Sequence, residues 1–315
     1  MPVSRYPRGF AAGVEIQDLP VEVTAPGQIF YVNNSAVLPV GAKAGSDSNA
    51  GTRLQPFSTI DYAIGKCTAN RGDIIFVMPG HSETITAASA IDLDVAGVRL
   101  IGLGHGAKMA EIEYNHADAT VAVGANDVVV ENIHFNASIT DVTVGVVVED
   151  GVNDCLLRKC RFDVDIAATD DFVDAIRFTN NNKNCVVEEC DIDVGLGAAV
   201  SAIHLAADTD RLVIRRNKIE GDYSTACIVG DTTLSTKIDI DSNLLINGST
   251  GNIGTEPGIE LLTGSTGIVR NNYIVCNLAT KLAAVVGDTV MLFENYYNED
   301  ITGTGGLIGT ASADD

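Results

Sequence analysis

The side chains with the plainest chemical potential are carboxylates. Asp163 and Asp165 fall two apart, on what reads as one face of a strand, and Asp193 follows Asp163 after 30 residues. Asp170, Asp171 and Asp174 crowd one short stretch, and Arg158 and Arg161 bring positive charge nearby. Two carboxylates flanking a glycosidic bond cleave it by acid–base chemistry. Acids holding Ca²⁺ beside a basic proton acceptor offer a second route to polysaccharide cleavage. Against both stands abundance: the chain has 42 Asp and Glu, so clusters arise by chance. Acids stacked on Lys and Arg of adjacent strands are also how a solvated surface avoids like-charge repulsion. Sugar subsites want aromatic platforms, yet aromatics are 5% of the chain and Trp is absent. Tyr273, Tyr296 and Tyr297 form the one hint of a platform, and they suit a closing coil or a subunit contact equally well. No catalytic residue is assigned.

Cysteines recur as Cys155-x₄-Cys160 and Cys185-x₄-Cys190. Five residues of strand separate each pair by up to ~16 Å, whereas zinc holds its sulfurs at about 2.3 Å. No metal site and no cofactor is therefore expected. Seven cysteines without a secretory signal read as free thiols in a reducing cytoplasm. Gly102-Leu103-Gly104-His105-Gly106 lacks the endings of phosphate-binding loops and reads as a turn. His81-Ser82-Glu83 has no strand–turn–helix setting for a nucleophile. His204 reads as a satisfied wall residue. A net charge of −22 would repel nucleic acid and an anionic membrane surface. No apolar run approaches the ~18 residues of a membrane span.

The elements that must position these residues come from an internal repeat. Aliphatic residues, one or two charged residues, then Asn or Cys and another apolar residue recur. Examples are Leu156-Leu157-Arg158-Lys159-Cys160-Arg161-Phe162 and Val213-Ile214-Arg215-Arg216-Asn217-Lys218-Ile219. Taking Gly102, Asn132, Cys160, Cys190, Asn217, Asn243, Asn272 and Asn295 as equivalent gives steps of 30, 28, 30, 27, 26, 29 and 23 residues. A second strand family, such as Val146-Val147-Val148 and Ala202-Ile203-His204-Leu205, lies between the copies. Two strand families per period with no helix between them predict an all-β solenoid of about eight coils. Stacking places equivalent residues ~4.8 Å apart. The predicted structural ladder is Asn132, Cys160, Cys190, Asn217, Asn243, Asn272 and Asn295, with asparagine amides bonding up and down the stack at a corner and the cysteines as small buried substitutes.

Residues 1–28 show no period and carry Pro2, Pro7, Pro20 and Pro26, which predicts an extended N-terminal arm. Its Arg5, Tyr6, Arg8, Phe10, Ile16 and Leu19 have no repeat to pack into and suit anchoring to a partner. Residues 29–80 are expected to hold a first strand, a turn-rich loop and a short helix over Pro56 to Cys67, capped by Ser58 or Thr59, that covers the open first coil. Residues 81–297 form the solenoid, and 298–315, rich in Gly, Thr and Asp, form a flexible tail.

Gly45-Ser46-Asp47-Ser48-Asn49-Ala50-Gly51-Thr52, then Gln55-Pro56-Phe57-Ser58-Thr59-Ile60 and Gly72-Asp73-Ile74-Ile75-Phe76-Val77-Met78-Pro79-Gly80, resemble the opening region of right-handed parallel β-helix proteins, the superfamily of pectate lyases and phage tailspikes. With the coils, the resemblance covers roughly 29–297 and implies that fold. The opening Ser4-Arg5-Tyr6-Pro7-Arg8-Gly9-Phe10 is similar to virion-associated β-helix proteins of tailed bacteriophages. That likeness implies a bacteriophage virion structural protein made in the host cytoplasm. It would be a capsid decoration protein anchored through its arm to the viral capsid or other virion proteins, and a homotrimer. The alternative it implies is a carbohydrate-active β-helix, a tailspike depolymerase or polysaccharide lyase. The residues themselves give a glycan ligand no support.

Overall fold

The computed structural model describes residues 14–16, 19–21, 27–35, 38, 40–164, 171–194, 199–230, 232–248, 256–276, 284–285 and 289–297. Short β-branched runs alternate buried and outward residues, and each run pairs with its equivalent one coil away. The first sheet has ten strands, from Ile29–Val32 to Val290–Phe293. The second has nine, from Ser82–Ile85 to Tyr296–Tyr297, and the third eight, from Ile91–Asp92 to Ala284–Val285. Every pairing in these sheets is parallel, for example Val129 with Leu156 and Leu156 with Val186. The chain is a right-handed parallel β-helix, the hand that parallel crossovers take almost without exception. Eight strands in the third sheet mean that eight successive coils carry all three strands. A narrow fourth sheet joins Asn182–Lys183, Thr209–Asp210 and Ser235–Thr236 on the middle coils. No helix among the described residues is long and apolar enough to cross a membrane.

One apolar core fills the solenoid. Its central coils stack Phe135 on Phe162 with ring centroids 4.7 Å apart, and Phe172 meets Phe162 and Tyr114 edge-on. The buried Tyr114 hydroxyl is satisfied by donating to the Gly145 carbonyl at 2.8 Å.

The repeat differs from its sequence reading first in its strand count: each coil has three strands rather than two families. The motif from Leu156 to Phe162 is itself two strands, Leu156–Arg158 and Arg161–Val164. The chain turns between them at Lys159, whose φ is +54°. Glu189, Arg216, Ser242, Asn271 and Glu294 hold the same left-handed corner, with φ between +48° and +58°. No glycine marks the bend, so the turn left no compositional trace.

Asn132 requires a correction. The register pairs Glu131 with Arg158 and His134 with Arg161, so Asn132 aligns with Lys159, and Ile133 stands in the column of Cys160. Asn132 is itself a left-handed corner residue at φ +57°. Its amide turns back to the carbonyls of Gly102 at 2.7 Å and Gly104 at 2.9 Å. Gly102 aligns with it, and an added Cβ there would lie 2.1 Å from the Asn132 carbonyl oxygen.

The predicted helix over 56–67 is only Ile60–Ile64, with Ile60, Ala63 and Ile64 buried and the helix packed against strands of the first and third sheets. Thr59 occupies the N-cap without a side-chain cap bond. The exposed amides are met from elsewhere: Ile60 N–H donates to Glu83 Oε2 at 2.9 Å, and the Ser58 and Thr59 amides donate to Asp47 Oδ1. Burial works to raise the Asp47 pKa, but these bonds outweigh it and hold the carboxyl below its ordinary value.

Within the segment expected as an extended arm, Val14–Ile16 and Leu19–Val21 instead form an antiparallel ribbon, with Ile16 across from Leu19. Arg5, Tyr6, Arg8 and Phe10 lie outside the described residues, as does the tail expected over 298–315.

Candidate functional site

The inward corner after each first-sheet strand carries the asparagine column. The Asn217 amide donates to Val187 O and Asn243 Oδ1, both at 3.0 Å, while its Oδ1 accepts from Cys190 N–H at 3.0 Å. Asn243 repeats the pattern with Ile214 O and Asn272 Oδ1, and Asn272 with Ile240 O and Asn295 Oδ1, all at 2.9 Å. Asn295 ends the column by donating to Val269 O at 2.8 Å. Cys160 and Cys190 continue it below, as buried free thiols. The two thiols reach backbone carbonyls, Cys160 that of Arg158 at 3.4 Å and Cys190 that of Glu188 at 3.5 Å, and the Cys160 contact together with burial pushes Cys190 well above the usual thiol range. Cys155 and Cys185 stack likewise at the other end of the same strands. The column is scaffold: Cys160, Cys190, Asn217, Asn243 and Asn272 are buried, and only Asn295 at its end is part-exposed.

Three charged clusters stand on the walls. On the second sheet, Asp163, Asp193 and Glu220 occupy one outward column, since Phe162 pairs with Ile192 and Asp193 with Glu220. Asp193 is exposed on this wall; partial desolvation raises its pKa, and the negative charges of Glu220, Asp163 and Asp191 add to the effect against the pull of Lys218. Arg161 is hydrogen-bonded to Asp163, and His134 stands between Glu111 at 4.0 Å and Asp163 at 3.8 Å. Two carboxyls in one outward column are the kind of pair that cleavage of a glycosidic bond uses. Asp165 and Asp170 lie outside the described residues.

On the third sheet, Asp174 is fully buried and is the hub of three side chains. It accepts from Ser201 Oγ at 2.6 Å and Arg177 Nε at 2.7 Å, and its Oδ2 lies 2.9 Å from His204 Nδ1. Desolvation acts to raise its pKa, yet the bonds from His204 and Ser201 and the Arg177 charge win, and the carboxyl is held low. Asp, His and Ser are all present, but a nucleophilic triad needs His between Ser and Asp. Here Asp174 sits in the middle, so the Ser201 hydroxyl donates to a carboxylate and gains no nucleophilicity. Asp171, close in sequence, is also buried and accepts from Asp141 N–H at 2.8 Å.

Along the first sheet, charges pair from coil to coil. Arg158 reaches Glu131 at 2.7 Å, Arg215 reaches Glu188 at 2.7 Å and Arg270 reaches Asp239 at 2.9 Å. His81 is buried and structural, its Nδ1 accepting from Asn34 N–H at 3.1 Å and its Nε2 3.2 Å from Glu83. Among the described residues no group of three or more His, Cys, Asp or Glu is placed to hold a metal ion. Sequence reading passed over Ser201, Arg177 and His134. Stepping one period on from Asp174 would have reached Ser201 and His204, 27 and 30 residues later.

A family model described as "Protein of unknown function (DUF1565)" matches residues 43–295. The chain belongs to the DUF1565 family. Among curated proteins no match is found. Among solved structures, this DUF1565 chain is similar to a rhamnogalacturonan lyase at a TM-score of 0.54 and 13% identity, over 81% of this chain and 70% of that one. A pectin methylesterase from Aspergillus niger gives 0.43 at 16% identity, over 88% and 90%. ORF18 of Geobacillus virus E2 gives 0.36 at 12%, over 77% and 57%. At such identities the likeness to the lyase shows the fold alone, and the β-helix carries many functions. The DUF1565 match starts at residue 43, so residues 1–42 lie outside it.

Proposed function

We propose that this DUF1565 chain is a structural protein of a bacteriophage particle, a capsid decoration protein anchored by its N-terminal arm to capsid or other virion proteins. The observation that carries the reading is the coil-to-coil pairing of wall charges. Glu131–Arg158, Glu188–Arg215, Asp239–Arg270 and Asp191–Lys218 consume side chains that a catalytic cleft would leave free to converge on a substrate. The wall is thereby a stiff, solvated lattice. The arm supports the reading from the sequence side, since Arg5 and Arg8 stand at the start of a chain of net charge −22 and suit docking on an acidic shell. Deleting residues 1–20 is expected to leave the melting point unchanged and to abolish co-sedimentation with particles stripped of the protein. Full occupancy by the truncated protein would overturn the arm as anchor.

The second reading, a carbohydrate-active β-helix, is favoured by one observation: Asp163, Asp193 and Glu220 share an outward column of the second sheet. Acidic and neutral polysaccharides incubated with and without Ca²⁺ test it. Oligosaccharide release that disappears in Asp163→Ala or Asp193→Ala would put this reading first.

A further inference from the structure

The outward face of the first sheet breaks the rule that solvent-facing strand positions are polar. Each strand presents two outward residues, which stack into two columns along the rod. One column starts at Ile29 and ends at Met291, and eight of its ten positions are aliphatic; the exceptions are Arg99 and Asp239. Its two ends are half exposed, Ile29 at 50% and Met291 at 51%. The other column opens with Tyr31, Phe76 and Ile101, closes with Phe293, and between them alternates Glu131, Arg158, Glu188, Arg215, Asp241 and Arg270. Four arginines thus face four carboxylates, so this face is neutral on a chain of net charge −22. Elsewhere, two such rods repel each other; here they do not.

The pattern is also complementary to itself. A two-fold axis along the strand direction, between Leu156–Arg158 and Val186–Glu188, reverses the rod and lays each column on its own copy. Under that operation Ile29 lies opposite Met291, Ile74 opposite Ile268, Val129 opposite Val213 and Leu156 opposite Val186. The column's two charges, Arg99 and Asp239, fall opposite each other. In the second column Tyr31 meets Phe293, Phe76 meets Arg270, Glu131 meets Arg215 and Arg158 meets Glu188. These are aromatic, cation–π and ion-pair matches. Only Ile101 against Asp241 is mismatched. A parallel two-fold would instead set the aliphatic column on the charged one. From these matches we infer that the first-sheet face binds a second copy of this chain, antiparallel, in a symmetric dimer. This takes the place of the trimer that the phage resemblance implies, and it stands whether or not the virion reading does.

Ten strands at ~4.8 Å spacing and two residues in width give roughly 500 Å² per copy, about the lower bound for a specific interface. A reversible dimer with a dissociation constant in the micromolar range follows. Sedimentation equilibrium on the full chain from about 1 to 200 µM reads it directly. Arg99→Asp and Asp239→Arg are each expected to weaken the dimer by about tenfold or more, because each sets like charges opposite. Mixing the two variants restores opposite signs at both contacts, so the heterodimer should regain wild-type affinity within about threefold. Leu156→Lys, on the outward face, should also dissociate the dimer while leaving the melting point in place. A monomer throughout the range, a trimer mass, or folded single variants whose mixture stays monomeric would each overturn the inference.

Discussion

Asn217 binds three coils at once: it accepts from Cys190 N–H and donates to Val187 O and Asn243 Oδ1. Asn217→Leu strands the buried Cys190 N–H and removes the bonds to Val187 O and Asn243 Oδ1, although Asn243 Oδ1 keeps the backbone N–H of residue 217, for a cost of about 1–3 kcal/mol. The expected result is a large drop in the denaturation midpoint, against a near-neutral Asp118→Asn at an exposed site. Equal midpoints for the two variants would remove the ladder from the account of stability. Asp174 makes a prediction about pH. Its folded-state pKa lies below the ordinary carboxylate value, so its stabilisation is fully present above the unfolded pKa and is lost as pH falls through the folded one. Asp174→Asn removes the charge and one of the two acceptor oxygens that Arg177, His204 and Ser201 share, and should cost on the order of 3 kcal/mol at pH 7. Chemical denaturation from neutral to acid pH should show the two curves converging below about pH 4. A constant gap would mean that the loss is packing and not charge. The Asp174 cluster was only half legible in sequence. The aspartate stood out by crowding, but its partners are a coil away, and only a correct register brings them together.

At the scale of the element, the left-handed corner decides the coil. Lys159 holds φ +54° with no glycine or asparagine to ease it, a conformation that costs an ordinary side chain about 1–2 kcal/mol. Lys159→Gly removes that cost while adding freedom to the unfolded chain of ~0.5–1 kcal/mol, so a small net gain is expected. Lys159→Val, β-branched, should lose more than about 1 kcal/mol. Thermal melts that move the two variants in the same direction would exclude strain at the corner. The same corner explains what the sequence hid. The aliphatic runs announced strands and period, because inward positions must be apolar in every coil. Lys, Glu and Arg at the bend announced nothing, so two strands were read as one. Asn132 was placed by residue type in a column to which its count from Glu131 does not assign it. The short helix was visible through Ile60, Ala63 and Ile64, while its capping by Asp47 and Glu83 depends on contacts 11 to 23 residues away.

For the whole molecule, the sequence disclosed fold and charge far better than role. The period, the acidity and the lack of Trp were all available by counting. The pairing of wall charges and the neutral first-sheet face were not, because both depend on which residues stack. Stacking has a further consequence. Each strand in the three main sheets pairs only with its equivalents in the adjacent coils, as Val186 does with Leu156 on one side and Val213 on the other. Among the described residues no strand pairing ties one end of the rod to the other, so a load on the ends is borne by one coil boundary at a time. Pulled in a force microscope, the chain should give way coil by coil. Coils of 23 residues, Ile268 to Met291, up to 30, Leu156 to Val186, release contour in steps of about 8–10 nm. A single rupture freeing the full length would show that the coils yield together. A regular sawtooth would make this rod a spring that lengthens in fixed increments under load and rewinds when the tension is removed.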